Sequence, residues 1–173
     1  KYKVQIINIQ KGVEILEGEY AYIGLDGGYP YQACKTDIGI AWINSQGVYF
    51  YDGQQIKSLT DNKIRNFWVG EDGYPSFWAS NANDVPSISY DQKSKKILCV
   101  KTITDAGSNA ENVLFYSFKN NSWTYGENLL DDNVDKRFAN YKGQLIFDND
   151  TRIRVWNDTP AAGTGSGGNI LYT

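Results

Sequence analysis

Ile38-Gly39-Ile40-Ala41-Trp42-Ile43 is followed by the turn Asn44-Ser45-Gln46-Gly47, the run Val48-Tyr49-Phe50-Tyr51, the pair Asp52-Gly53 and a third short run, Gln54-Gln55-Ile56. Two apolar and aromatic runs thus flank a turn that ends in glycine, and an Asp-Gly pair closes onto a further run. Asp-Gly between such runs predicts a tight primed hairpin turn, because the central residues of that turn need positive φ, which Asp tolerates and Gly accepts freely. The segment reads as a β-meander.

The same plan returns near the C-terminus. Arg137-Phe138-Ala139-Asn140-Tyr141 leads through Lys142-Gly143 to Gln144-Leu145-Ile146-Phe147, then through Asp148-Asn149-Asp150 to Thr151-Arg152-Ile153-Arg154-Val155-Trp156. Aligned on glycines, Gly47 lies over Gly143, Tyr51 over Phe147 and Asp52 over Asp148, an internal repeat. Between the two copies lie four more runs, 87–91, 96–102, 113–118 and 122–124, enough for one four-stranded sheet. Turns every ten or so residues predict an all-β sandwich, barrel or propeller, with about three or four blade-like sheets.

Two stretches depart from this pattern. Thr60–Trp68 predicts a short helix capped by Thr60 or Asp61, with Ile64, Phe67 and Trp68 on one face. Residues 159–169, rich in Gly, Ala, Ser and Thr, predict a flexible loop leading to a terminal strand at 170–173 that pairs elsewhere. Residues 1–158 form the β-rich module.

Composition agrees with that organisation. The 173 residues fit one domain or a piece of a larger one; 14% are aromatic, 13 of them Tyr, and 17 are Gly, a mixture that favours strands and tight turns. A net charge of −3 with both signs interspersed gives no basic field for nucleic acid. No apolar stretch is long enough to span a bilayer, and the start lacks a signal-peptide layout, so the chain is expected to be soluble. It contains no Met, which leads us to expect a processed product or a portion of a longer polypeptide. Cys34 and Cys99 belong to no CxxC pair and are expected reduced and buried in strands, with a disulfide between them as the alternative.

The chemistry open to this chain is narrow. With no histidine, Ser-His-Asp and Cys-His catalysis are excluded and zinc loses its usual nitrogen ligand. Gly163 to Gly168 is followed by neither a helix nor a Lys-Ser/Thr pair, so it is no phosphate cradle. The candidate metal ligands are Asp131, Asn133 and Asp135, whose alternate spacing matches the first half of a calcium loop. Lys136 stands where that loop needs glycine and no closing glutamate follows, so a solvated acidic turn is the first reading. Asp148 and Asp150 read the same way. No catalytic residue, cofactor or enzyme activity is assigned. Glu71–Trp78 falls short of an Asp-box by its spacing, and its aromatics are expected to close against the core. Trp42, Tyr49, Phe50, Tyr51, Phe115, Tyr116, Phe118 and Trp123 are expected to fill space between sheets, with a sugar-stacking platform as the alternative.

Gly39–Leu59, with Gly47-Val48-Tyr49-Phe50-Tyr51-Asp52-Gly53 and the exit Ile56-Lys57-Ser58-Leu59-Thr60, resembles blade segments of phage portal-attached tail proteins. These are the nozzle, or tail tubular protein B, of short-tailed phages and the muzzle proteins of crAss-like phages. Leu114–Trp123 is similar to a kelch-like blade end. The resemblance covers about half the chain. It implies a non-catalytic virion tail subunit, assembled in the bacterial host cytoplasm, that associates with its own copies and with neighbouring tail and portal proteins around a DNA exit channel, in transient contact with passing DNA. A carbohydrate-binding or glycan-processing β-propeller module is the alternative.

Overall fold

A computed structural model of the chain describes residues 3–10, 13–25, 29–71, 77–78, 86–101, 112–127, 138–149 and 152–156. The first two strands, β1 (Lys3–Gln10) and β2 (Val13–Ala21), pair with each other and, among the described residues, with no other strand. A 3-10 turn, Pro30–Gln32, then opens the first of three larger sheets: β3 (Ala33–Lys35), β4 (Ile40–Asn44), β5 (Gly47–Tyr51) and β6 (Ile56–Ser58). A one-turn helix, α1 (Arg65–Val69), leads to the second sheet, β7 (Ser87–Asp91), β8 (Lys96–Lys101), β9 (Asn112–Ser117) and β10 (Ser122–Glu127). The third sheet is β11 (Phe138–Tyr141), β12 (Gln144–Asn149) and β13 (Arg152–Val155). Each is an antiparallel meander in chain order.

The second sheet is packed on both faces, and successive side chains of a strand explain how. Ile97 and Cys99 on β8, with Ile88, Tyr90, Leu114 and Tyr116, meet Ala41, Ile43, Val48 and Phe50 of the first sheet. Leu98 and Val100, with Val113 and Phe115, turn the other way onto Leu145, Phe147 and Trp156. Burial on both sides is why these runs are continuously apolar rather than alternating. β7, the first strand of its sheet, packs against β3 on one side and β11 on the other. The first strands therefore gather and the sheets fan outward from them, an all-β arrangement of propeller-like blades.

The internal repeat holds, but one residue out of the register that glycine alignment predicts. Ala41↔Phe50, Ile43↔Val48 and Tyr49↔Ser58 recur as Phe138↔Phe147, Asn140↔Leu145 and Ile146↔Val155. The exit bond from the Leu59 amide to the Val48 carbonyl recurs from Trp156 to Leu145. Val48 thus answers to Leu145, and Gly47 to Gln144. The glycines mislead because they occupy different turn positions. Lys142 and Gly143, with φ of 50° and 76°, are the central pair of a primed turn. Gly47 instead follows the central pair Ser45-Gln46. The repeat also equates the second strand of one sheet with the first strand of another, so it marks a shared meander rather than shared blade positions.

Two further expectations are corrected. Asp52-Gly53 does not form a two-residue primed turn: it opens a four-residue loop between Tyr51 and Ile56, in which Gly53 alone has positive φ and the Asp52 carboxylate accepts the amides of Gln54 and Gln55. The helix forms later and shorter than predicted, with no side-chain cap. The Thr60 hydroxyl accepts from the Val48 amide and Asp61 pairs with Arg65, so neither side chain caps it. Ile64, Phe67 and Trp68 do face the core as expected.

Both cysteines are free and in strands; Cys99 is buried, whereas Cys34 is half-buried rather than fully so. Burial pushes the Cys34 thiol up to about 12 and Cys99 well above its ordinary value, which leaves both poor nucleophiles.

Candidate interaction surface

The β1–β2 hairpin is an arm. Its outer strand, β2, is exposed along nearly its whole length, and the apolar side chains near the tip lie open: Ile9 is 70% exposed, Val13 60% and Leu16 56%. A bulge opposite Ile6–Ile7 leaves Glu17 outside the ladder. Polar pairs brace the strands across the ladder, Lys3 and Gln5 donating to Glu19 at 2.7 and 3.0 Å and Asn8 to Glu17 at 2.7 Å. Lys3, then Gln5, hold the Glu19 carboxyl below its usual range. An isolated two-stranded hairpin is marginal in water, and among the described residues no further strand joins this one or covers its apolar tip.

The arm's base is fixed by Asn44 at the β4–β5 turn. Its Nδ2 donates to the carbonyls of Gly24 at 2.8 Å and Tyr22 at 3.3 Å, and its Oδ1 accepts the amides of Gln46 and Gly47. Trp42, buried on the same face and stacked on Tyr49 at 5.9 Å, donates its indole N–H to the Ile23 carbonyl. Between the arm and the first sheet runs an apolar groove of about 740 Å³, lined by residues 3–7 of β1 and by Leu25, Ile40, Trp42 and Tyr51. No β2 residue lines it, so β2 is the strand turned away from the body.

A second cleft of about 660 Å³, beside α1, is lined by Lys63, Arg65, Phe67, Trp123 and Tyr125. Three of its polar side chains are engaged: Lys63 donates to the Asn121 carbonyl at 2.6 Å, Arg65 pairs with Asp61 at 3.2 Å, and the Trp123 indole donates to the Leu59 carbonyl at 2.7 Å.

At the opposite ends of the strands, Asp37 of the β3–β4 turn joins the first sheet to the second. It accepts from Lys95, from the Tyr90 hydroxyl at 3.1 Å and from Gln92 at 3.2 Å, while Asn140 of the third sheet donates to the Tyr90 carbonyl at 3.1 Å. Lys95 above all, then Tyr90 and Gln92, hold the Asp37 carboxyl below the ordinary range. A depressed folded pKa stabilises above the unfolded value near ~4 and is lost as pH falls through the folded one. The melting temperature of the native chain is therefore expected to fall more steeply below about pH 4 than that of Asp37→Asn, the two curves converging in acid. Parallel melts across pH, repeated in high salt to screen this exposed contact, check it.

The candidate ligands Asp131, Asn133 and Asp135 lie outside the described residues, as does Asp150. Among the described residues no three His, Cys, Asp or Glu side chains gather to hold a metal ion. Of the singled-out aromatics, Trp42, Tyr49, Phe50, Phe115 and Tyr116 are buried and Tyr51, Phe118 and Trp123 half-buried. Phe77 and Trp78 close onto α1 as expected, their amides donating to the carbonyls of Phe67 and Trp68. No described helix is long and apolar enough to cross a membrane.

Sequence reasoning missed the arm, although Lys11-Gly12 between two strand-like runs is a turn signal that could have found it. It also missed Asn44 and Asp37, whose partners are remote in the chain. Comparison with family models, with curated proteins and with solved structures found no match to this chain.

Proposed function

We propose that this chain is a structural element of a phage virion tail, of the nozzle or muzzle kind, that works by associating with its own copies and with neighbouring tail and portal proteins around the DNA exit channel. The observation that carries an assembly role is the β1–β2 arm, which has an apolar tip and, among the described residues, edges that pair with no other strand. The tail assignment adds to this the likeness of Gly39–Leu59 to tail-protein blades. With no histidine in the chain, histidine-based catalysis is closed to it. The carbohydrate reading is less well supported, because the aromatic side chains that would form a platform are largely spent between sheets.

Light scattering on the purified full chain over a wide concentration range tests the assembly role. A defined oligomer, alone or on adding a tail partner, is expected. A monomer under every condition would overturn it.

A further inference from the structure

The two ends of the described fold present complementary strand edges. β2 is the outward strand of the arm and carries Val13-Glu14-Ile15-Leu16, all exposed. β13 is the last strand of the third sheet, and its outer edge has no partner among the described residues. Its sequence, Arg152-Ile153-Arg154-Val155, alternates cation with β-branched apolar residue, and Ile153 and Val155 are 76% and 51% exposed.

Resting on the assembly role, we propose that β2 of one copy adds to the β13 edge of a second copy as an antiparallel strand. The register sets Ile15 opposite Ile153, Glu14 opposite Arg154 and Val13 opposite Val155. Those three opposed pairs are apolar with apolar or acid with base, the combinations that stabilise a two-strand ladder, and the same register sets Leu16 opposite Arg152. Glu14 forms no hydrogen bond or ion pair among the described residues and is free for this contact. Charge also selects the pairing. In the registers that oppose apolar to apolar, two β13 edges set arginines together and two β2 edges set Glu14 against itself, whereas β2 on β13 opposes unlike charges. The last strands of the other two larger sheets fit less well: β6 has three residues, and β10, Ser122–Glu127, carries no cation. Because the two surfaces differ, the contact is head-to-tail and builds a ring where the rotation closes.

The test uses the full chain. Glu14→Lys and Arg154→Glu are each expected to weaken association about tenfold, and the double variant, which restores opposite charges at every contact, to recover it. Mixed Val13→Cys and Val155→Cys chains should form a disulfide-linked pair under mild oxidation in preference to either homodimer. Association indifferent to both charge variants, or Val13→Cys linking only to itself, overturns the edge pairing and leaves the assembly role standing. A chain that never associates overturns both.

Discussion

Trp68→Ala is expected to cost about 3–5 kcal/mol of stability, a drop of roughly 10–15 °C in melting temperature for a chain of this size. Trp68 is fully buried beneath the first sheet, 5.3 Å from the Phe77 ring and 6.0 Å from Trp78, and its indole N–H donates to the Asn44 carbonyl at 2.9 Å. Truncation removes a large apolar volume, and the strands on either side are held by their own ladders, so the space cannot close cheaply. It also leaves a buried carbonyl without its donor. Trp68→Phe keeps most of the volume and loses the hydrogen bond, so it should cost clearly less. Equal losses for the two variants in a denaturant titration would mean that packing is not what Trp68 supplies.

Asn44→Ala should cost about 2–4 kcal/mol, and its effect should concentrate at the base of the arm. The side chain is 1% exposed and serves two carbonyls and two amides at once. One of those carbonyls belongs to Tyr22, a non-glycine residue at φ 68°, a sparsely populated conformation that persists only where its surroundings enforce it. Without the Asn44 amide, the 22–25 segment loses that support and should become accessible to limited proteolysis before the blades unfold. Asn44→Asp sharpens the test. It keeps the acceptor for Gln46 and Gly47 but turns an anion toward the carbonyls of Tyr22 and Gly24, so it should be at least as damaging as alanine. An Asp variant as stable as the native chain would show that the link to the arm carries little weight. Trp68 donates to the backbone carbonyl of Asn44, so the two sites are in contact and their substitutions are expected to be non-additive.

Most of the blades was legible in the sequence. The runs at Val48–Tyr51 and 87–91 became β5 and β7 within a residue, because strand formers between turn residues act through their nearest neighbours in the chain. Turn type was less legible. Asp52-Gly53 and Lys142-Gly143 look alike as dipeptides, yet only the second makes the primed turn, since the Asp52 carboxylate takes up local amides and opens its loop to four residues. The arm went unread although its strands are long, because neither holds the alternation of a half-buried sheet: Ile6 and Ile7 stand side by side, as do Ile15 and Leu16, around the bulge.

The sequence by itself determined that the chain would be all-β, where most blade strands and their turns fall, and that histidine-based chemistry is closed to it, since these follow from residue type and short spacing. Only the tertiary structure decided which faces meet. It placed the second sheet between the other two, brought Asn44 to the carbonyls of Tyr22 and Gly24, set Asp37 beside Tyr90 and Lys95, and left the arm standing apart. Those outcomes depend on contacts between residues far apart in the chain, and the pattern of a single strand is the same whichever sheet comes to lie against it.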